Sequence, residues 1–453
     1  TDGNVISNDV SGNPVAVATG NSGQVLTSAG AGAPPTFADA GGGVTFKEGG
    51  TNFTRSLLVG ADSTGTLSSS TDNTGLGTNV FSALTSGTSN SVVGSFALCS
   101  NTTGEDNSVV GKNALCTNTS GSSNVAMGKN ALYANTTASN NTAVGVNALT
   151  TNTTGIRNIA VGALSLSANT TASDNVAIGY TALDNNTTGA DNVAVGNNAL
   201  DANTTGANNT GVGHNSLNAN TTASDNVGVG FCAMKSNTTG NLNTAVGSCA
   251  FKTNTTGSQN AAFGTYALDA NVSGDCNTAM GFAALGKVTG TGNTALGDRA
   301  GDNITSGSGN VLLGSESGAQ GSGVNLTTES NRLVAGHSDI THAYVKVDWT
   351  VGSDIRDKTD FGTVPHGIDF VKQLDPISYK FRTARDEDTT TGGVKYGFSA
   401  QDILALEKAN GGTNVIVDDE FEEHLKFINS HLTPILVNAI KELKAEIELL
   451  KNK

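Results

Sequence analysis

Few residues in the chain could do chemistry, and the first pair lies near the C-terminal end. Ser353 and Lys358 are five residues apart. A hydroxyl acts as a nucleophile when a base takes its proton, and an amine is such a base when its pKa is lowered toward neutrality. The spacing alone carries no meaning, so the surrounding sequence must decide. No paired carboxylates, Gly-rich phosphate loop or Cys-x-x-Cys zinc motif stands out, and we expect no cofactor and no metal.

Four of the five cysteines form two pairs with the same spacing, Cys99 with Cys116 and Cys232 with Cys249. If equivalent positions of adjacent coils stack, each pair comes near the separation of about 5 Å between Cα atoms that a disulfide requires. The odd count favours small buried thiols instead.

Two other polar features have plain interpretations. Asn-Thr-Thr matches the N-glycosylation sequon repeatedly, for example at Asn135 and Asn186. We interpret these asparagines as a turn ladder, an interpretation that only a eukaryotic host would reverse. The histidines, such as His214 and His337, are scattered and are interpreted as surface residues.

The elements that hold these residues are repeats. Glycines recur with a period of 17 from Gly60 to Gly281, and one shorter and one regular step then lead to Gly297 and Gly314. Each of these 16 glycines follows a short apolar run, as in Val193-Ala-Val-Gly196, which Asn precedes in every copy but the first. Ala-Leu and Asn-Thr-Thr-Gly segments follow in most copies.

This unit predicts one coil of a stack. The apolar run is strand-length and too short for a helix, and Asn, Thr and Gly supply turns. We therefore expect two short strands and two turns per coil, with neighbouring coils covering each apolar face. Because the core residues are small, one column is thin, and three columns packed side by side would bury it better. The repeats thus indicate a trimer.

Composition excludes several classes of function. The chain has 453 residues, of which 14% are charged, 5% are aromatic and 58 are glycine. A net charge of −15 argues against a nucleic-acid partner, because phosphate contacts need Lys and Arg. No apolar run reaches the roughly 20 residues of a membrane span, and no signal peptide opens the chain, so we expect no membrane insertion.

The Asn-Thr-Ala-Val-Gly-x-x-Ala-Leu unit resembles the head repeat of YadA-like trimeric adhesins. The resemblance covers about residues 57 to 317 and implies a left-handed parallel β-roll. The period of 17 is longer than is typical of those heads, and no membrane-anchoring barrel follows. The fold class expected from residues and resemblance together is mainly β, a trimeric left-handed parallel β-roll of 17-residue coils.

The segment 353–453 resembles the intramolecular chaperone domain of phage tailspikes and fibres, the endosialidase type of peptidase family S74. Ser353-Asp-Ile-Arg-Asp-Lys358 matches its opening motif, and Ile368 to Lys380 resembles its helix-then-strand segment. Tyr396-Gly-Phe-Ser-Ala-Gln-Asp402 resembles its Gly-Phe-x-Ala-Gln-Glu signature, with Asp402 in place of Glu. The resemblance implies a small α+β chaperone domain that ends in a coiled-coil helix.

The resemblance also implies self-cleavage. Carried over to this sequence, Ser353 attacks the carbonyl of Gly352 and Lys358 takes the proton of the Ser353 hydroxyl. Burial in an assembled trimer would lower the pKa of a lysine base. The expected chemistry is a single-turnover serine autoproteolysis before Ser353, with no turnover of other substrates. The alternative is that Ser353 and Lys358 are ordinary surface residues of a chaperone that does not cleave.

The C-terminal helix carries a heptad pattern. Its seam consists of Leu436, Ile440, Leu443, Ile447 and Leu450, flanked by Glu and Lys. Ile at a and Leu at d would favour a dimer, whereas the chaperone resemblance and the β-roll favour three chains. An amphipathic helix packed on its own domain is the alternative for the first turns.

Four segments follow from these patterns. They are an attachment or linker region over 1–55, the repeats over 56–317, a β connector or distal tip over 318–352, and the chaperone over 353–453. The first segment includes Gly23 to Phe37, which resembles a segment common in phage fibres. Strand-like alternation marks 331–334 and 343–349 in the connector. Tyr344 and Trp349 are candidate receptor contacts or core residues that close the end of the stack.

The sequence favours a virion tail fibre that is made in the host cytoplasm and mediates host-surface attachment. Its expected partners are two further copies of the chain, a virion tail or capsid protein at the N-terminus, and a host receptor for which a glycan is one candidate. Two alternatives stay open. A polysaccharide-degrading tailspike often precedes such a chaperone, and a cellular trimeric adhesin shares the repeat but needs a signal peptide and an anchor.

Overall fold

A computed structural model describes most of the chain. It covers residues 52–60, 65–319, 324–337, 340, 358–359, 361–382, 388–411, 415–418 and 425–452, with the backbone alone at 391, 418 and 426 and also at 6–8, 14–16, 24–27, 36–39 and 46–48. The chain divides into two compact units, residues 1–292 and 293–453. The fold is mainly β, with a parallel β-solenoid of about 15 coils and a small helical and β part at the C-terminal end, which confirms the predicted fold class at this level.

The first unit consists of short strands. In chain order they are β1 (Ile6–Asn8), β2 (Pro14–Ala16), β3 (Gln24–Thr27), β4 (Thr36–Asp39), β5 (Phe46–Glu48), β6 (Phe53–Thr54), β7 (Leu57–Val59), β8 (Ser70–Thr71), β9 (Thr74–Leu76), β10 (Ser91–Val93), β11 (Ser108–Val110), β12 (Val125–Met127), β13 (Thr142–Val144), β14 (Ile159–Val161), β15 (Val176–Ile178), β16 (Val193–Val195), β17 (Thr210–Val212), β18 (Val227–Val229), β19 (Thr244–Val246), β20 (Ala261–Phe263) and β21 (Thr278–Met280).

A single parallel ladder runs from β7 and β9 through to β21, with each strand paired to the equivalent strand of the next coil. Val92 of β10 lies opposite Val109 of β11, and Val109 lies opposite Ala126 of β12. These central strand residues are buried, while the residues on either side of them point outward. Ahead of the ladder, β5 pairs antiparallel with β7, and β1–β2 and β3–β4 pair antiparallel.

The second half of each coil is not a strand, so the expectation of two strands per coil was wrong. In the coil that follows Gly111, Asn113 and Leu115 have φ of 60° and 51°, which no strand tolerates. The segment still bonds to both neighbouring coils, because Leu115 N–H donates to Ala131 O at 2.9 Å and Asn113 N–H to Ser95 O at 3.0 Å. Ala114 and Leu115 are fully buried. Leu115 therefore lies in a turn with its backbone in the left-handed region, and its side chain is part of the core.

The close approach of stacked backbones explains the glycine at the corner of each coil. Gly111 has φ of 140°, and a Cβ placed on it would lie 2.6 Å from the carbonyl carbon of Gly128 in the next coil. Both the dihedral and the close approach exclude a side chain. The periodic glycine in the sequence thus marks where stacked coils come closest.

Two ladders of buried asparagine amides run through the first unit. In one, Asn90 Nδ2 donates to Asn73 Oδ1 at 3.0 Å, and Asn107 repeats the bond to Asn90. In the other, Asn135 Nδ2 donates to Asn118 Oδ1 at 2.8 Å. The sequon residues Asn135 and Asn186 are fully buried members of this second ladder. The interpretation as a turn ladder is confirmed by these amide hydrogen bonds.

The second unit continues with short strands and then turns to a mixed fold. Its elements are β22 (Thr294–Leu296), β23 (Val311–Leu313), β24 (Leu333–Ala335), α1 (Ile368–Val371), β25 (Ile377–Arg382), β26 (Thr390–Gly397), α2 (Ala400–Ala409), β27 (Val417–Asp418), β28 (Lys426–Phe427) and α3 (Asn429–Lys451). Strands β22, β23 and β24 pair in parallel, so the ladder of this unit extends to Ala335. The β25–β26 and β27–β28 pairs are antiparallel.

Candidate assembly and cleavage site

The predicted cleavage residues are only partly within the described part of the chain. Lys358 is described, and its side chain is exposed. Gly352 and Ser353 lie outside the described residues, as do Tyr344 and Trp349, so the predicted geometry of cleavage and of a distal tip stays a prediction. Helices α1 to α3 and strands β25 to β28 follow Lys358.

The segment from Ile368 to Lys380 forms a helix and then a strand, as its resemblance predicted. Helix α1 is a single turn, and β25 follows it and pairs with β26. Ile377 lies opposite Gly397, and Tyr379 lies opposite Lys395. This hairpin brings the second sequence block of the domain beside the third.

The block from Tyr396 to Asp402 ends β26 and begins α2. Ser399 is the N-cap of the helix, and its Oγ accepts a hydrogen bond from the Asp402 N–H at 3.2 Å. A serine with an acidic residue three positions later is the pattern that satisfies free N–H groups at a helix start. The carboxylate of Asp402 also stands in the first turn, where the helix dipole favours negative charge. Aspartate in place of the usual glutamate therefore keeps the acidic first turn.

The core of the C-terminal part is small and apolar. Its buried members come from α1, α2, α3 and the strand region before β28, and they are Phe370, Ile403, Ile416, Val417 and Ile435. Phe398 and Phe427 pack around them, with ring centroids 5.5 Å apart. Every one of the matched sequence blocks after Lys358 thus contributes to one cluster.

One buried carboxylate completes this core. Glu407 is fully buried on α2. Its Oε1 accepts from the N–H groups of Val415 and Ile416 at 2.9 and 3.0 Å, and its Oε2 accepts from Val417 N–H at 3.2 Å. A carboxylate that accepts three backbone donors is well satisfied without a cation. Glu407 therefore joins α2 to the segment that precedes β28.

Helix α3 joins the domain through polar contacts with the region around α1. Glu442 Oε2 accepts from Ile368 N–H at 2.6 Å, and Asn438 Nδ2 donates to His366 O at 2.9 Å. His366 is buried and stacks on Phe370, with ring centroids 4.3 Å apart. The N-terminal part of α3, up to Glu442, is thereby attached to the domain by side chains that also leave its heptad seam open.

The heptad seam lies on a different face of α3 from the one that packs on the domain. Leu432, Ile435 and Ala439 are buried, and they form the inner face. The seam residues Leu436, Ile440, Leu443, Ile447 and Leu450 are exposed by 38, 64, 40, 49 and 69%. Both interpretations of this helix thus have a place, because the first turns pack on the domain and the seam remains open for another chain.

The comparisons with known proteins concern this part of the chain. Residues 353–411 match the model of the peptidase S74 family, described as chaperone of endosialidase. The match begins at Ser353 and ends just after α2. No curated protein and no solved structure matches the chain. Chaperone domains of this family are associated with trimer formation.

A second open apolar surface lies on the solenoid of the first unit. The last residue of each ladder strand is apolar in every coil from β9 to β21, and none of these residues is buried. We name this row the strand stripe; it consists of Leu76, Val93, Val110, Met127, Val144, Val161, Ile178, Val195, Val212, Val229, Val246, Phe263 and Met280. Contiguous apolar rows of this length are rare on the surface of monomers and mark interaction sites.

The described residues hold neither a metal cluster nor a membrane span. In the part of the chain that the structure covers, no three His, Cys, Asp or Glu side chains come together as metal ligands. Among the same residues no helix is both long and apolar enough to cross a bilayer.

Sequence reasoning missed Glu407 and His366. A signal existed for Glu407, because it lies four residues after Ile403 and hence on the apolar face of α2. The interpretation of the histidines as surface residues fits His214, which is exposed, but not His366, which is buried. No local sequence pattern predicts that His366 stacks on Phe370.

Proposed function

We propose that the chain is a trimeric virion tail fibre that attaches to a host surface and is assembled by its C-terminal chaperone. The observation that carries the proposal is the chaperone match that begins at Ser353, in a chain whose preceding repeats form a parallel β-solenoid. A long repetitive body needs a separate domain to set three chains in register, because identical coils do not define a unique alignment.

Two open apolar surfaces support the assignment of three chains. In the single chain the heptad seam is exposed and the strand stripe is exposed or half-buried, and both are continuous along their elements. Burying apolar area stabilises an assembly by about 25 cal/mol per Å². We infer that other copies of this chain cover both surfaces, and that the N-terminal region joins a virion tail or capsid protein.

Self-cleavage would release the chaperone after assembly. In the proposed reaction the Ser353 hydroxyl gives its proton to Lys358, and its oxygen attacks the Gly352 carbonyl. The peptide C–N bond breaks as an ester forms on Ser353, the Ser353 nitrogen takes the proton, and water then hydrolyses the ester. The reaction occurs once per chain and leaves Gly352 as the new C-terminus.

The test is the intact mass of the purified chain under denaturing conditions. Wild type should separate into two pieces, residues 1–352 and 353–453, and Ser353→Ala should keep the full chain mass of 45.5 kDa. Lys358→Met should also stay intact near neutral pH, while Lys372→Met, an exposed lysine outside the motif, should cleave normally. An intact wild type, or cleavage of Ser353→Ala, would remove autoproteolysis from the proposal.

Assembly and attachment are tested separately. Light scattering of the uncleaved Ser353→Ala protein should give three times the chain mass of 45.5 kDa. Ile440→Asp, which places a charge in the exposed seam, should lower the trimer fraction, whereas Glu446→Asp should not. Purified fibre should compete with the parent virus for host cells; a monomer, or no competition by the trimer, would contradict the corresponding part of the proposal.

A further inference from the structure

The two cysteine pairs differ in how their thiols meet. Cys99 and Cys116 are equivalent residues of adjacent coils, and their Sγ atoms lie 2.8 Å apart. Cys232 and Cys249 are also stacked neighbours, but the contact described for Cys249 Sγ is Ser248 Oγ at 4.0 Å. The first pair is half-buried, and the second is buried.

The backbone around the first pair is already held by hydrogen bonds. Ser100 N–H donates to Cys116 O at 3.0 Å, and Ala83 N–H donates to Cys99 O at 3.0 Å. Adjacent coils stack about 4.8 Å apart at their strands, and this stacking distance lies within the range of Cα separations that a disulfide spans. The two sulfurs can therefore bond without a rearrangement of the coils.

The proton is unevenly shared within the pair. The hydrogen bond between the two thiols lowers the pKa of Cys99 to about 6 and raises the pKa of Cys116. Thiolate is the nucleophile in disulfide exchange, so Cys99 is the residue that reacts first.

We propose that Cys99 and Cys116 are a modification site, which an oxidant of the small-molecule disulfide class converts into a disulfide between adjacent coils. The Cys99 thiolate attacks one sulfur of the oxidant, and one small thiol leaves. The Cys116 thiol loses its proton and attacks Cys99 Sγ in the mixed disulfide, which releases the second small thiol. Two electrons pass to the oxidant, and both cysteine protons end on the released thiols.

The disulfide would join equivalent positions of two adjacent coils of the solenoid. It links two coils that are otherwise held by backbone ladders, side-chain amides and packing. Oxidised chains should accordingly resist local opening of these two coils, while coils far along the stack are unaffected.

The test is oxidation of the folded full-length chain with glutathione disulfide, followed by alkylation under denaturing conditions and mass spectrometry. The peptides that hold Cys99 and Cys116 should together lose about 2 Da, the mass of two hydrogens, and neither of these two thiols should be alkylated, while the exposed Cys276 is read from its own peptide. Trypsin cuts after Lys112, between the two cysteines, so the disulfide should appear as two linked peptides. Five free thiols, a linkage through other cysteines, or glutathione that stays bound to wild-type Cys99 would each overturn the proposal.

Two variants separate the roles of the cysteines. Cys116→Ser should retain one glutathione per chain on Cys99, because no resolving thiol remains. Cys232→Ser, a matched change in the other pair, should lose the same mass as wild type, about 2 Da. Loss of two hydrogens from Cys116→Ser would contradict the pairing, and the peptide map of the wild type decides the question if that variant does not fold.

Discussion

The solenoid and the C-terminal part bury polar groups in opposite ways. In the first unit, amides occur once or twice in nearly every coil, and most are bonded to counterparts in adjacent coils, as Asn90 is to Asn73 and Asn107. Among the described residues of the C-terminal part, one buried carboxylate, Glu407, accepts three backbone donors beside an apolar cluster. Stabilisation is spread evenly over many equivalent bonds in the first region and concentrated at one residue in the second.

This difference teaches where each region can fail. A stack of nearest-neighbour contacts opens locally, because each coil depends on two others. A small domain with one cluster loses its fold as a whole when a central bond is removed. Amide hydrogen exchange resolved by peptide can distinguish the two behaviours within the full-length chain.

The largest effect is expected at Glu407. Glu407→Ala leaves three backbone N–H groups without an acceptor, two of them in buried hydrogen bonds, and should destabilise the C-terminal domain by about 3–5 kcal/mol. Exchange should rise over α1, α2 and the inner face of α3 together. Glu446→Ala, on the exposed face of α3, is the control. Protection lost only at 415–417 would show that this domain is not concentrated around Glu407.

A slightly smaller and local effect is expected at a corner glycine. Gly111→Ala forces a Cβ against the Gly128 carbonyl at a φ of 140°, and should destabilise its coil by about 2–3 kcal/mol. Gly211→Ala is the matched control, because Gly211 lies in β17 where the preceding strand has Ala194. A Cβ at Gly211 would lie 3.3 Å from Leu200 Cγ, so we expect a cost much smaller than that of Gly111→Ala. Equal damage from both would mean that glycine content, and not the corner geometry, limits the stack.

The asparagine ladder should give the next effect. Asn186 Nδ2 donates to Asn169 Oδ1 and Gly189 O, and its Oδ1 accepts from Asn203 at 2.8 Å. Asn186→Ala should destabilise these coils by about 2 kcal/mol because neighbouring buried groups lose partners. Exchange should rise between residues 169 and 206 and stay unchanged in distant coils; the exposed Thr188→Ala is the control. A rise in hydrogen exchange along the whole solenoid would contradict the local opening expected of stacked coils.

The smallest effect concerns a pair of stacked aspartates. Burial raises the pKa of Asp201, and the neighbouring Asp184 raises it further. A raised folded-state pKa means that ionisation at neutral pH opposes folding, and that this penalty is absent below the unfolded value of about 4. Asp201→Asn should stabilise its coil by less than about 1 kcal/mol at pH 7, and the gain should vanish in acid. Asp191→Asn, at an exposed position, is the control; an equal gain from it at pH 7 would show that net charge, and not burial of Asp201, produces the effect.

The repeat predicted much of the solenoid, and little of its second half. The regular spacing implied stacking, and the Asn-Thr-Thr segments implied a ladder, because identical polar residues at one register must meet each other. The alternation of handedness at Asn113 and Leu115 was not predictable from residue types, since leucine rarely adopts positive φ. Contacts from both adjacent coils impose that conformation.

The C-terminal part shows the same division. The sequence blocks predicted the order of α1, β25 and α2, and the heptad predicted a seam on α3. They did not predict that Ile435 and Ala439 form a separate inner face, because two apolar faces overlap in one helix and only tertiary packing assigns them. The cleavage residues remain a prediction from resemblance, with Ser353 outside the described residues.

The constant register of the first unit has a consequence for evolution. Val176 meets Val193 just as Val125 meets Thr142, so each coil sees the same backbone partners at the same offset. A tandem duplication or deletion of one whole repeat in the gene adds or removes one coil and rejoins every ladder bond. Such a gene can change the reach of its product in steps of about 4.8 Å, and can do so without any compensating mutation elsewhere.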